Sequence, residues 1–341
     1  MQEYIDHPFF SPSLTVFFSL FPANDGISSL SWSPAANLLV ATSWNNQVLC
    51  WDVQANGQAI PKAAVTLDKP VLCSAWSSDG SAVFAGGCDN GVKMWNLATN
   101  QQQQVAQHAA PVRHCFFVPQ MNILVTGSWD KTIKYWDLRS PNPVHTQNLP
   151  ERVYAMDCLH PLLVVGTADR AIQVYNLAQP QQPYKQLVSP LKYQTRAISC
   201  FPDASGYLIG SVEGRVAVHH VEDSLQTKNF TFKCHRDGND VYAVNSMSFH
   251  PQYHTFVTAG SDGAYNFWDK DSKQRLKAMA KSTQPIPCGA FSRDGSIYAY
   301  AVSYDWSRGA AENNPATAQH HILLHAPQES EVKGRNRPPR R

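Results

Sequence analysis

The chain has 341 residues, of which 43% are apolar and 16% charged, and this balance excludes wholesale disorder. A formal net charge of +2 excludes a strong overall field for nucleic acid, so any basic site must come from local clustering. Length alone predicts two or three ordinary domains, an expectation that the repeats below replace.

Near the N-terminus, LTVFFSLF (Leu14–Phe21) is far shorter than the roughly 20 apolar residues of a spanning helix. Glu3 and Asp6 precede it where a secretory leader would carry cations. Its β-formers predict a strand, and the expectation is a soluble intracellular protein with no membrane insertion. The eight cysteines form no C-x-x-C pair and sit mostly in apolar, strand-like runs, which reads as free buried thiols.

Six stretches then repeat: NNQVLCW (45–51), DNGVKMW (89–95), DKTIKYW (130–136), DRAIQVY (169–175), EGRVAVH (213–219) and DGAYNFW (262–268). Each starts on Asp, Asn or Glu and reaches a Trp, Tyr or His six residues later, with apolar residues alternating between, which predicts a tight turn followed by a strand. A second marker, from LSWSP (30–34) to AFSRDG (290–295), keeps step with the first and counts seven units about 41 to 48 residues apart. That period, with four short strands per unit, predicts an all-β, seven-bladed propeller over 24–328. The first 23 residues are expected to supply a ring-closing strand, 303–321 an insertion loop in the last unit, and 329–341 a basic disordered tail.

The repeated residues have a structural job. In the third unit His108, Thr126 or Ser128, Asp130 and Trp136 suit one hydrogen-bond chain, with Asp89, Trp95 and Asp262 at matching positions elsewhere. An Asp–His–Ser hydrolase triad is the rival reading, but the pattern recurs around the ring as scaffolding would. No phosphate-loop, nucleophile-elbow or zinc-protease motif is present, so no catalytic role, metal or cofactor is predicted. His250 and His254 lie in a Pro-containing turn, which spoils helical ligand spacing. Four Gln at 101–104 read as a solvated turn.

Three stretches break the repeat: KNFTFKCHRDGNDVY from 228, WDKDSKQRLK (268–277) and SYDWSRG from 303. Lys228, Lys233, Arg236, Lys270, Lys273, Arg275, Lys277 and Lys281 give the first two a local excess of cations, and Arg215 lies in the neighbouring turn. Cations beside Phe and Trp suit an acidic peptide, phosphates or stacked single-stranded bases. A solvated charged loop with one aromatic plugging the core suits the same residues, and both readings stand on residue types alone.

The order of GSWDKTIKYWDLRSPNP (127–143), LPERVYAMD (149–157), SPLKYQTRA (189–197), GSVEGRVAVH (210–219), NFTFKCHR (229–236), GSDGAYNFWDKD (260–271) and YAVSYDWSRG (300–309) adds something more specific. The chain resembles the WD-repeat mRNA export factors of the RAE/Gle type over nearly the whole ring. The resemblance implies a seven-bladed WD-repeat β-propeller that is a non-enzymatic adaptor in the nucleus and at the nuclear pore, with cytoplasmic shuttling. It implies binding to the GLEBS segment of an FG nucleoporin, support of mRNA export, weak single-stranded RNA or mRNP binding, and mitotic checkpoint or spindle partners. It places Arg215, Phe232, Lys233, Trp268, Lys270, Lys273 and Arg275 in a basic, aromatic groove that receives acidic ligand residues. The family usually shows Arg then Lys where this chain has Lys273 then Arg275, so charge is kept while fork geometry moves. The alternative is a WD-repeat substrate adaptor of a ubiquitin ligase or signalling complex that uses other rim loops.

Overall fold

In a computed structural model, described for residues 16–18, 25–314 and 318–334, seven four-stranded antiparallel sheets follow one another along the chain. Their first strands are Ile27–Trp32, Val71–Trp76, Val112–Val118, Val153–Leu159, Thr195–Cys200, Val244–Phe249 and Gly289–Phe291. First strands of successive sheets contact one another, and that of the seventh returns to that of the first, so the sheets are blades around an axis. The ring is the expected seven-bladed propeller.

The acidic repeat residue explains four of the tight turns. Asp89, Asp130, Asp169 and Asp262 each accept, through Oδ1, the backbone N–H two residues on, at 3.0–3.2 Å. The residue between adopts positive φ: Asn90 66°, Lys131 67°, Arg170 68° and Gly263 75°. A short carboxylate thus closes the turn that the backbone would otherwise leave open. The Asp of two W-D pairs does the same one turn later: Asp137 accepts from Arg139 N and Asp269 from Asp271 N, both at 3.0 Å.

The core lies between blades. Trp51 and Trp95 are almost fully buried where blade one meets its neighbours. Burying about 200 Å² per indole is worth at most roughly 5 kcal/mol. Blades five and six share a core of Phe201, Leu208, Val216, Val244 and Phe256, and Phe230, Phe232 and Trp268 pack half-buried at its outer edge.

Ring closure uses both ends of the chain. Val16–Phe18 pairs antiparallel with His321–His325, Val16 opposite His325, as the outer strand of blade seven. The insertion is described for 303–314 and 318–321, and it packs inward. Asp305 is buried and binds Asn245 Nδ2 at 2.7 Å and Ser261 Oγ at 2.5 Å, while Trp306 meets Trp44 edge-on at 5.3 Å.

Two expectations are corrected. The segment from 329 does not begin as a tail: Glu329–Val332 is one helical turn held by a capping box between Gln328 and Glu331. Val332 is buried, its carbonyl accepts the Thr255 hydroxyl at 2.5 Å, and His325 Nε2 lies 2.9 Å from Glu331 Oε2. An apolar residue with a core slot open to it overrides the basic composition around it. The residues from 335 onward lie outside the described part. Likewise the glutamines are no turn, because Gln102–Gln107 is the outer strand of blade two, paired with Gly91–Asn96. An outer strand needs backbone pairing and leaves its polar side chains in solvent.

Candidate partner-binding site

The site starts from a strand that the sequence disguises. Phe230–Lys233 alternates inward and outward and pairs with Arg215–His220 as the fourth strand of blade five, Lys233 directly opposite Arg215. The expected break at KNFTFKCHR is therefore regular in its centre. The irregular pieces flank it: a 3-10 turn over Asp223–Lys228, and a two-stranded ribbon of Arg236–Asp237 with Asp240–Val241.

Period two settles what each residue faces. Phe230 and Phe232 turn to the shared core, while Thr231 and Lys233 turn to solvent. Phe232 meets Trp268 at 4.7 Å between ring centroids and Phe256 at 6.2 Å. Cations then cover this aromatic edge. Lys273 Nζ lies 4.8 Å from the Phe230 ring, Arg275 Cζ 6.0 Å from Trp268, and Lys270 Nζ 4.8 Å from Phe201. Arg275 is also the strand partner of Trp268. The structure thus brings Phe232, Lys233 and Arg215 of blade five beside Trp268, Lys270, Lys273 and Arg275 of blade six.

The cations differ in availability. Lys270 binds Asp271 Oδ1 at 2.8 Å and has a largely covered side chain, and Arg215 Nε lies 3.4 Å from Glu213 Oε2. Lys281 pairs with Asp237 at 2.7 Å, and Arg236 Nη2 donates to Glu213 O at 2.8 Å. Lys233, Lys273 and Arg275 are exposed and form no ion pair among the described residues. The Glu213–Gly214–Arg215 turn is tightly packed. Gly214 has φ +61°, and a Cβ there would meet Cys234 O at 2.6 Å and the carbonyls of His235 and Tyr242 at 3.0 Å.

Trp268 serves two purposes. Its indole N–H donates to Thr258 Oγ1 at 2.9 Å; His235 Nε2 lies 2.8 Å from the same hydroxyl, and His235 Nδ1 lies 2.8 Å from Asp262 Oδ1. The third blade holds the same chain, with His108 Nδ1 to Asp130 Oδ2 at 2.8 Å, His108 Nε2 to Thr126 Oγ1 at 2.7 Å and Trp136 Nε1 to Thr126 Oγ1 at 2.9 Å. Thr126 is the linking hydroxyl, and Ser128 instead donates to the carbonyls of Ala110 and Pro111. In blade two the chain is reduced: Asp89 closes its turn and Trp95 donates to Asn100 Oδ1 at 2.8 Å. His235 escaped the sequence reading because the ribbon lengthens its spacing to Asp262 to 27 residues, against 22 between His108 and Asp130.

Burial would raise the Asp130 carboxyl, but donation from His108, Thr132 and the Ala109 N–H outweighs it and holds the group well below its ordinary value. His250 accepts backbone N–H groups of Gln252 and Tyr253 at Nδ1, and burial lowers its pKa to about 4. Among the described residues no group of three His, Cys, Asp or Glu is placed to hold a metal ion, and no helix is long and apolar enough to cross a membrane. The eight cysteines are unpaired.

Comparison with known proteins adds to this geometry. The family described as WD domain, G-beta repeat matches residues 15–52, 64–96, 99–137 and 226–269. The chain is 61% identical over 317 residues to Protein RAE1 of Arabidopsis thaliana, covering 92% of this chain and 91% of the relative. It is 51% identical over 321 residues to the poly(A)+ RNA export protein of Schizosaccharomyces pombe, with the same coverage of each. It is 45% identical over 333 residues to the mRNA export factor of Xenopus tropicalis, covering 93% of this chain and 90% of the relative.

Proposed function

The chain belongs to the WD40-repeat family of Rae1/Gle2-type mRNA export factors, non-enzymatic propeller scaffolds, and on that footing we propose that it docks an acidic nucleoporin segment of the GLEBS type on the rim between blades five and six. Its role is in mRNA export, a nucleocytoplasmic task. The finer reading is an adaptor at the nuclear pore that shuttles to the cytoplasm.

The observation that supports this reading is the set of exposed cations Lys233, Lys273 and Arg275, without ion pairs among the described residues, around the Phe230–Phe232–Trp268 edge. An extended acidic segment would set carboxylates against the cations and apolar side chains against the aromatic edge. A segment that orders on binding must offset its lost chain entropy, so several such contacts are needed. The geometry favours a peptide over stacked bases, because Phe230 and Phe232 are half-buried in the blade interface and Lys273 and Arg275 lie over the rings. Single-stranded RNA is therefore assigned weaker, phosphate-directed binding, and no residue is assigned to a spindle partner.

Charge reversal tests the site. Lys233→Glu, in a residue with no ion pair among the described residues, is expected to weaken a GLEBS-type peptide at least tenfold, about 1.4 kcal/mol, with an unchanged melting temperature. Arg215→Glu is expected to do the same at low salt. Unchanged affinity in both folded variants moves the site elsewhere on the ring.

A further inference from the structure

Beyond the aromatic edge, the rim gathers three cations around one backbone carbonyl. Gly214 O accepts the Cys234 N–H at 2.9 Å and the Arg236 Nε–H at 3.5 Å. Lys233 precedes Cys234 and Arg215 follows Gly214, so all three side chains leave the chain close to that oxygen. Arg215 and Lys233 also face each other directly across the ladder. Like charges at directly opposite positions destabilise a strand pair, and an anion held between them removes that cost.

The ribbon decides which charges join them. Arg236 lies opposite Val241, and Asp237 opposite Asp240. Opposite residues share a face and successive ones alternate, so the two acids occupy one face and Arg236 with Val241 the other. The acidic face is answered by blade six, where Lys281 Nζ meets Asp237 Oδ2 at 2.7 Å. The other face meets blade five, where Arg236 Nη2 donates to Glu213 O at 2.8 Å. Both carbonyls that hold Arg236 are neutral, so its charge is fixed in place without being cancelled. Val241 beside it is 43% exposed. One acid enters on this side. Glu213 stands where four other blades carry Asp, and with one more methylene its carboxylate reaches to 3.4 Å from Arg215 Nε. Three cations against one carboxylate leave a local excess of two positive charges.

We propose that the Gly214 turn and the Arg236 face of the ribbon form a subsite for a phosphorylated serine or threonine of the segment docked on the rim. A ligand carboxylate answers half of the excess charge, whereas a phosphate monoester carries close to two negative charges at neutral pH, with three acceptor oxygens. Arg215 and Lys233 receive it from the strand side and Arg236 from the ribbon side, and Val241 offers apolar contact to a neighbouring side chain. The arginines supply paired donors and Lys233 a point charge, the combination that phosphate recognition uses. The inference rests on the rim being the docking surface and adds control to it: a partner modified at such a residue docks more tightly than the unmodified one.

The test is an amide-shift titration of the isotope-labelled full-length chain with N-acetyl-O-phosphoserine amide, and separately with N-acetyl-aspartate amide, at constant ionic strength. A GLEBS-type acidic peptide is titrated in parallel. The phosphoserine amide is expected to saturate, with shifts centred on 213–215, 233–236 and 241, and to bind about fivefold or more tightly than the aspartate amide. Arg236→Gln and Lys233→Gln, each checked by melting, are expected to weaken it about fivefold or more, and Arg236→Lys to weaken it less. Lys233 forms no ion pair among the described residues, so Lys233→Gln decides if Arg236→Gln does not fold. Lys273→Glu should weaken the acidic peptide and spare the phosphoserine amide, since Lys273 sits over Phe230, at the far end of the strand from Lys233. Equal binding of the two amides overturns the phosphate assignment, and unchanged phosphoserine affinity in the folded Arg236 and Lys233 variants overturns the subsite. If the peptide binds and the phosphoserine amide does not, the subsite falls and the docking reading stands. If the phosphoserine amide binds as expected and the peptide does not, the docking reading falls and the phosphate site stands by itself.

Discussion

Replacing His235 with Ala tests whether the hydrogen-bond chain of blade six supports both stability and binding. His235 is 4% exposed and bridges Asp262 and Thr258 at 2.8 Å each. Removing it deletes one bond to a carboxylate, worth about 1.5–3 kcal/mol, and one to a neutral hydroxyl, worth about 1 kcal/mol. The Asp262 side chain, 6% exposed, would keep the Ala264 N–H at 3.1 Å but lose its ring partner. With the cavity added, the expected cost is about 3–5 kcal/mol, a fall of roughly 6–10 °C at about 2 °C per kcal/mol for a chain of this size. His108→Ala in blade three breaks the matching chain and is expected to cost a similar amount. The two should differ in binding. His235→Ala loosens Thr258, and through it the indole that meets Phe232 at 4.7 Å, so peptide affinity is expected to fall about three- to tenfold at a temperature where both variants are folded. His108→Ala should leave affinity unchanged. A stability cost below about 1 kcal/mol, or equal loss of binding in both variants, refutes the reasoning.

Gly214→Ala should lower stability by about 1–3 kcal/mol in melting scans and weaken peptide binding, because φ +61° is strained for alanine and its Cβ would press on Cys234 O. Val332→Asp should release the C-terminal turn, read as faster amide exchange over 329–334 and loss of the Thr255 hydroxyl bond, since a carboxylate cannot stay in that buried slot. Acid should destabilise the ring through Asp130. Its folded pKa lies below the ordinary 3.8, so its stabilisation is present above about pH 4 and fades as pH falls below that; the melting temperature of Asp130→Asn should therefore depend less on pH between 4 and 2 than that of wild type.

The ring was legible because its signals are local and repeated. An acidic residue closing a turn on the N–H two residues on, followed by an alternating strand ending in Trp or Tyr, appears in the sequence wherever it appears in the structure. The candidate rim was legible in its residues but less so in its form. Phe230–Lys233 alternates like any strand, yet the flanking 3-10 turn and ribbon hid its place in blade five. Trp268 drew attention as a ligand residue, while its bond to Thr258, and so its structural duty, required His235 to be aligned across an irregular spacing. A recurrent bulge in the inner strands was illegible, since nothing in one sequence shows that Arg113 and Arg196, on separate blades, are skipped at the same place in their ladders. The Glu329–Val332 turn was masked by the basic residues after it, because composition reports the average and Val332 acts alone.

The central claim is that the rim between blades five and six receives an acidic nucleoporin segment. The most direct measurement is a titration of a labelled GLEBS-type peptide with the purified chain at low and at physiological salt, with Lys233→Glu alongside. The account predicts tight binding that weakens as salt rises, and a Lys233→Glu variant that binds at least tenfold more weakly and is less sensitive to salt. No binding by the folded wild type, or binding indifferent to both salt and Lys233, would contradict it.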